Sequence, residues 1–476
     1  MEIVFFSGIP FFPKHTTGGA QQSLGKVVRY LGQLGHRVRI LSSARANCHE
    51  PFTLAEGVEV LPILPVQHFP EICNTTPYNL THLILDTQEI LATADVLYIL
   101  DAVLPFHFLY EKIPTVISFR NFIYSDTLGN GLNFRRDHLL LNSNYMRDCA
   151  VDTMSIFCPQ ITERMTVIPN GFDLDLLQPV DPQPLARRFG IPDDVIPLLY
   201  PHRPDPRKGI YNVLDVLALY RQRHGKQGDR LRLLIPKWHD GASENDSDTY
   251  DLILPYAQER GIDDLLIFHP WLESKDLPAY FSLGRVTFCL GTFPETFGNV
   301  HMESLACGTP PILTRVAAYR SSLPESIVAK VDPGDADAAV DALERLLQDP
   351  PDPDIGRQYI REHYNQQQMV EDHDTVLTQT RCLKPLPERA APPWHAADRL
   401  AVPAWCYRGT QGYYNDYLDG YVQNEVLQQL LQCSNLDSQH SLTVEQAESA
   451  SGLSRQQLDS LVRAGLLVRR SRADFV

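Results

Sequence analysis

MEIVFFSGIPFFPKHTTGGAQQSLGKVVRYLGQLGHRVRIL (1–41) decides the fold. Ile3 to Phe6 form a short apolar run of the kind a strand buried on both faces shows, and a Gly/Pro-rich loop ending in Gly18 and Gly19 follows it. Leu24, Val27, Val28, Leu31 and Leu34 then recur at helical spacing, Gly35 suits the C-terminal cap, and RVRIL (37–41) resumes as a strand. The stretch predicts a β-loop-α-β unit. Further apolar runs at 95–100, 115–119, 139–143 and 165–171 alternate with helical or loop segments, as in a parallel sheet covered on both faces.

Beyond Pro179 the pattern restarts, with runs at 196–200, 231–236, 265–269, 286–290 and 310–314 and helices predicted near 209–220, 335–347 and 355–380. The reading is α/β: two Rossmann-like, doubly wound domains facing across a cleft, over residues 1–175 and 176–382, the last helix returning to the first domain. A Pro-rich linker over 383–403 leads to a small, mainly helical module over 404–476. In that module Thr443 with Gln446 and Ser454 with Gln457 match capping boxes around the turn at Ser451-Gly452. The pattern predicts a helix-turn-helix, and 466–470 supplies the strand of a winged-helix-like arrangement.

The 476 residues fit two or three domains at roughly 100–200 residues each. With 43% apolar and 21% charged residues the chain is globular, and 42 basic against 58 acidic residues give the net charge of −16 that disfavours broad binding to a phosphate backbone. Nine scattered cysteines, none in a C-x-x-C pair, describe neither a disulfide framework nor a zinc cluster and fit a reducing cytoplasm. Glu2 and the early prolines Pro10 and Pro13 argue against a signal peptide. No stretch approaches the roughly 18 apolar residues of a spanning helix, so membrane contact is expected to be peripheral at most.

The chemistry concentrates in PETFGNVHMESLACGTP (294–310). A helix starting near Gly298 would turn free N–H groups and a positive dipole end toward a pyrophosphate. Glu303 on it would accept from ribose hydroxyls, and Glu295 in the loop before it from sugar hydroxyls. A strand-turn-helix with two solvated acids is the alternative on spacing alone.

This segment resembles the E-x7-E signature of retaining GT-B glycosyltransferases of family 4. GGAQQSLGKVVRYLGQLGH (18–36) is similar to their glycine loop and first helix, VIPNGFD (167–173) to their interdomain strand, and HRPDPRKG (202–209) to their basic clamp. The resemblance implies transfer of a sugar from a nucleotide-sugar donor to an acceptor hydroxyl with retained anomeric configuration, without a metal ion or other cofactor. It assigns Arg203 and Lys208 to the donor diphosphate, with Gly18 and Gly19 approaching the same phosphates. Glu295, Phe297, Gly298, Asn299, Val300 and Glu303 are placed along the donor, and Trp271 near the base. Asn170-Gly171 is expected to serve as a hinge.

Departures from the pattern are also legible. Arg120-Asn121 and Asp101 stand where family members commonly carry histidines, and His269-Pro270 where a glycine is usual. Arg120 is a candidate for an acceptor phosphate or acid and Asp101 for an acceptor hydroxyl; both are counted with the catalytic candidates Arg203, Lys208 and Glu295. The alternatives are a non-catalytic nucleotide-sugar-binding or scaffolding relative and a DNA-binding regulator. The tail speaks against nucleic acid: from Ser441 onward Arg455, Arg463, Arg469, Arg470 and Arg472 face Glu445, Glu448, Asp459 and Asp474, a net of +1. Tyr407, Tyr413, Tyr414, Tyr417 and Tyr421 suit packing onto the catalytic body or presentation of an aromatic surface. The tail is expected to position a peptide or protein acceptor, otherwise a glycan or small molecule, or to mediate homo-oligomerisation.

Overall fold

A computed structural model describes the chain except residues 14–17, 46–47, 65–76, 101, 105, 124, 133, 135–136, 204, 238–246, 438 and 472–476. The chain divides into two compact units, Met1–Gly171 with Gln366–Pro403 and Ser441–Val476, and Phe172–Asn365 with Ala404–His440.

The first unit is built on eight strands: β1 (Glu2–Ser7), β2 (Arg37–Ser43), β3 (Phe52–Ala55), β4 (Val58–Leu64), β5 (Val96–Leu100), β6 (Thr115–Phe119), β7 (His138–Leu141) and β8 (Met165–Val167). Their spatial order is β3-β4-β2-β1-β5-β6-β7-β8, parallel throughout except for the edge strand β3. The central strands are apolar on both sides because both faces are covered. Helix Gly19–Gln33 packs Leu24, Val27, Val28 and Leu31 on one face beside Met369, Val370 and Leu377 of helix Gln366–Gln379. Helix Pro77–Leu91 covers the other face through Leu83 and Leu91.

The second unit carries a parallel sheet of β9 (Ile196–Leu199), β10 (Leu231–Lys237), β11 (Leu266–Pro270), β12 (Val286–Cys289), β13 (Pro311–Thr314) and β14 (Ala329–Val331), ordered β11-β10-β9-β12-β13-β14. Helices Ile210–His224 and Ala336–Gln348 fill one face through Val213, Leu217, Val340 and Leu343. The order reverses between β9 and β12, and in doubly wound sheets ligands settle beyond the carboxyl ends of the strands at such a reversal.

Three features differ from the sequence-based expectation. The predicted helix over 355–380 is two helices, Pro353–His363 and Gln366–Gln379. Between them the chain passes from one unit to the other, and Tyr364 uses its carbonyl to accept from the Phe172 N–H (2.8 Å). Strands β3, β4 and β14 carried no clear signal: two are edge strands, and β4 lies next to an edge with its side chains alternately buried and half-buried.

The third difference is the tail, which does not form one helical module. It contributes β15 (Arg399–Ala401), β16 (Cys406–Arg408), β17 (Tyr413–Asn415), β18 (Gly420–Tyr421), β19 (Leu442–Thr443) and β20 (Val468–Arg470). β16-β17-β18 form an antiparallel sheet in the second unit, and β19-β15-β20 another in the first. Strands of two or three residues are too short to show a period of two. The helix-turn-helix segment is present as Val444–Ser451 and Arg455–Arg463, each with its capping box and with Gly452 left-handed between them. Its strand β20 pairs with β15 inside the segment expected as a linker, where Arg469 meets Asp398 at 3.3 Å. Among the described residues no helix is long and apolar enough to cross a membrane.

Candidate functional site

The loops that leave β9 and β12 meet at the strand-order reversal of the second unit. Beyond β9 the chain runs through Tyr200 and His202 to Arg203, and then into a single 3-10 turn, Pro206–Lys208. Asp205 caps this turn, its carboxylate accepting from the Arg207 N–H at 2.9 Å. Beyond β12, the N–H groups of Thr292 and Phe293 both donate to the Arg207 carbonyl, at 2.8 and 2.9 Å. The backbones touch so closely that Gly209, left-handed at φ +91°, has room for no Cβ: one would lie 2.3 Å from the Leu290 carbonyl oxygen. Asn212 adds a side-chain amide to that same carbonyl at 2.8 Å.

This interlock places the ammonium of Lys208 2.5 Å from Glu295 Oε1 and 3.9 Å above the Phe293 ring. The pair is largely shielded from water, with side-chain exposures of 13% and 22%. A cation so placed is held by a carboxylate and an aromatic face. Arg207 stacks on the same ring at 4.9 Å. Arg203 is exposed on the same loop.

Behind the loops lies a buried support. His202 bonds to the Phe288 carbonyl at 3.0 Å, so its Nε2 carries the proton and donates. Burial, with the Lys208 charge adding to it, brings its pKa down to about 4. The unfolded state therefore binds a proton that the folded state refuses between pH 6.5 and 4, and stability present above that window is lost as pH falls through it, by up to about 3 kcal/mol for this one group. Melting temperature should drop across this range, and less steeply in His202→Gln, whose amide can still donate to Phe288; equal slopes would contradict the assignment.

After Glu295 the chain turns through Gly298 at φ +81°, where a Cβ would lie 2.4 Å from the Tyr319 ring. Helix Val300–Ala306 starts at Val300, two residues later than expected, after Asn299. Glu303 is on its first turn and half-buried. Phe297, named from sequence as a donor contact, is a core residue: it stacks on Phe172 at 6.2 Å and meets Tyr364 edge-on at 5.6 Å, which leaves only its backbone for a ligand. Val300 is half-buried against the same core. Trp271 is 43% exposed just beyond β11, two strands from the reversal.

The remaining sequence candidates lie in the first unit. Gly18 precedes helix Gly19–Gln33, and a Cβ there would meet no atom within 4 Å, so packing does not require a glycine at that position. Arg120 is buried at the end of β6, its Nε donating to Ser118 Oγ at 2.9 Å. Asp101 lies outside the described residues. Asn170, expected at a hinge, is buried and accepts from Ser23 Oγ at 3.1 Å, while Lys26 bonds the Gly171 carbonyl at 3.0 Å. The sequence reading missed Phe293, which underlies both cations, and Tyr319, whose hydroxyl shares a hydrogen bond with the Cys289 thiol. A lone aromatic beside a proline carries no periodic signal.

Residues 183–363 match the family described as Glycosyl transferases group 1. The D-inositol 3-phosphate glycosyltransferase of Frankia alni is 28% identical over 189 residues, 40% of this chain and 46% of that protein. The chain spans less than half the length of the first curated relatives it matches. Sucrose-phosphate synthase from Thermosynechococcus elongatus superposes with a TM-score of 0.64 at 17% identity, over 80% of this chain and 99% of that one. Anabaena HepE in complex with UDP-glucose superposes with a TM-score of 0.58 at 15% identity, over 79% and 99%. The fold of this chain is GT-B.

Proposed function

We propose that this chain is a glycosyltransferase that binds a nucleotide-sugar donor at the strand-order reversal of its second unit. The observation that carries the reading is the shielded Lys208–Glu295 pair, presented where doubly wound sheets hold phosphates and lying inside the matched region. Lys208 and Arg203 take the diphosphate, Glu303 the ribose hydroxyls, and Glu295 a sugar hydroxyl. As the bond from anomeric carbon to phosphate oxygen breaks, charge grows on the departing diphosphate, and a fixed cation stabilises that state more than the ground state.

Two cations on one loop supply charge of the kind a divalent ion supplies elsewhere, which supports transfer without a metal. Retention of configuration belongs to the same reading, as does Arg120 as a group for the acceptor. The names of curated relatives and structural neighbours point to phosphorylated acceptors, for which a guanidinium is a suitable group. The eight described cysteines are all free thiols, which supports a reducing, cytoplasmic setting.

The test is a melting-temperature screen against UDP, GDP, ADP and dTDP, followed by transfer from the matching nucleotide sugars with and without chelator. A rise in melting temperature with one base, and turnover insensitive to chelator, support the reading; binding without turnover supports a binding-only relative. The anomeric proton of the product, read by NMR, decides retention. Glu303→Ala should weaken binding of the nucleoside diphosphate by about 2 kcal/mol, roughly thirtyfold in Kd. Unchanged affinity by calorimetry would remove Glu303 from the site.

A further inference from the structure

The segment that follows Thr314, at the end of β13, is bonded both to the loop after β12 and to the C-terminal extension. Ala317–Arg320 form one 3-10 turn, and three of its residues have separate tasks. The Ala318 N–H donates to the backbone carbonyl of Glu295 at 3.0 Å. Tyr319 sets its ring where Gly298 lacks a side chain. Ala317 is left-handed at φ +47°, a conformation that costs a non-glycine residue energy and persists only where the surroundings enforce it.

The enforcing group comes from the tail. Asp416, in the tight connection between β17 and β18, has a side chain with 0% exposure. It accepts from the Ala317 N–H at 3.3 Å and takes both ends of the Arg320 guanidinium at 2.7 Å each. Arg320 also donates to the Ala404 carbonyl at 2.7 Å. The connection is itself held rigid: Asn415 Oδ1 accepts from the N–H groups of Tyr417 and Leu418 at 3.0 and 3.1 Å, and Tyr414 bonds Asp419 at 3.0 Å. Two further contacts fasten the small sheet to the second unit. Thr410 donates backbone and hydroxyl to Asp332 at 3.0 and 2.8 Å, and Tyr421 donates to the Pro333 carbonyl at 3.0 Å.

We propose that the β16-β17-β18 sheet is a brace for the donor loop, and that Asp416 is a positioning residue which fixes Glu295 and Gly298 through the Ala317–Arg320 turn. A buried carboxylate shared between a strained backbone N–H and a bidentate guanidinium has one satisfied geometry, so the turn, and with it the Glu295 carbonyl, has one position. The inference rests on the donor-site reading given above. It assigns to residues 404–421 an effect on donor binding in place of a role confined to the acceptor.

The experiment uses the full chain and whichever of UDP, GDP, ADP or dTDP binds it. In Asp416→Asn the affinity for that diphosphate should fall by about tenfold, within the ~5–150-fold span of coupled sites. Hydrogen exchange should rise in peptides covering 294–303 and 314–322 while the β9-β10-β11 peptides keep their protection. A merely structural role would lower the melting temperature and leave diphosphate affinity, measured well below it, unchanged. Because that variant can fail to fold, the wild type is measured too: by reciprocity, adding the diphosphate should slow exchange in 404–421 together with 294–303. Protection at 294–303 alone, or wild-type affinity in folded Asp416→Asn, overturns the brace and leaves the donor site standing where Lys208→Ala weakens diphosphate binding. Failure of every diphosphate to bind overturns the donor site and the brace together.

Discussion

Lys208→Ala is expected to lower kcat/KM for transfer by about 10²–10³, with most of the loss in kcat, because the ammonium meets charge that exists fully only as the diphosphate departs. The geometry makes this specific to Lys208. Its Nζ is tied to Glu295 and seated on Phe293, so it cannot be replaced by neighbouring Arg207, which stacks farther out on the same ring. The rate is measured well below melting, because removal of the ammonium leaves the shielded Glu295 carboxylate without its cation and should lower the melting temperature as well. Steady-state rates and a melting curve on the same preparation check this. A variant that turns over at wild-type speed contradicts the role.

Gly209→Ala should do more, and by another route. Its Cβ would strike backbone, not a yielding side chain, at 2.3 Å from the Leu290 oxygen, and φ +91° is strained for alanine in any case. Relief requires the basic loop to part from the end of β12, which breaks the bonds that Thr292 and Phe293 make to Arg207. A destabilisation of about 3 kcal/mol follows from strain and lost packing together, with diphosphate binding lost in whatever remains folded. Urea unfolding and calorimetry measure the two effects. An unchanged urea midpoint would show that the two loops are not locked as described.

The doubly wound pattern was legible because buried parallel strands such as Ile3–Phe6 and Leu233–Pro236 are continuous apolar runs and helices such as Gly19–Gln33 show one apolar face. β3 and the tail strands escaped notice for the converse reason. Edge or short strands alternate weakly or not at all, and Tyr413 and Tyr414 read as an aromatic cluster although both are buried in a sheet. At the site, the family resemblance singled out Lys208, Glu295 and Gly298 on two stretches of chain 87 and more positions apart, and the structure brings Lys208 against Glu295. The same resemblance also named Phe297, whose ring faces the core. One-dimensional spacing does not tell on which side of a turn a side chain leaves. Nor could it find Asp416, which reaches Ala317 across 99 positions of chain.

Crystals of the chain with its nucleoside diphosphate test the central claim most directly. The diphosphate oxygens should lie within hydrogen-bond reach of Lys208 Nζ, drawing it from Glu295, with the ribose hydroxyls on the Glu303 carboxylate. Density for the nucleotide elsewhere, with the Lys208–Glu295 pair undisturbed at 2.5 Å, would contradict the account.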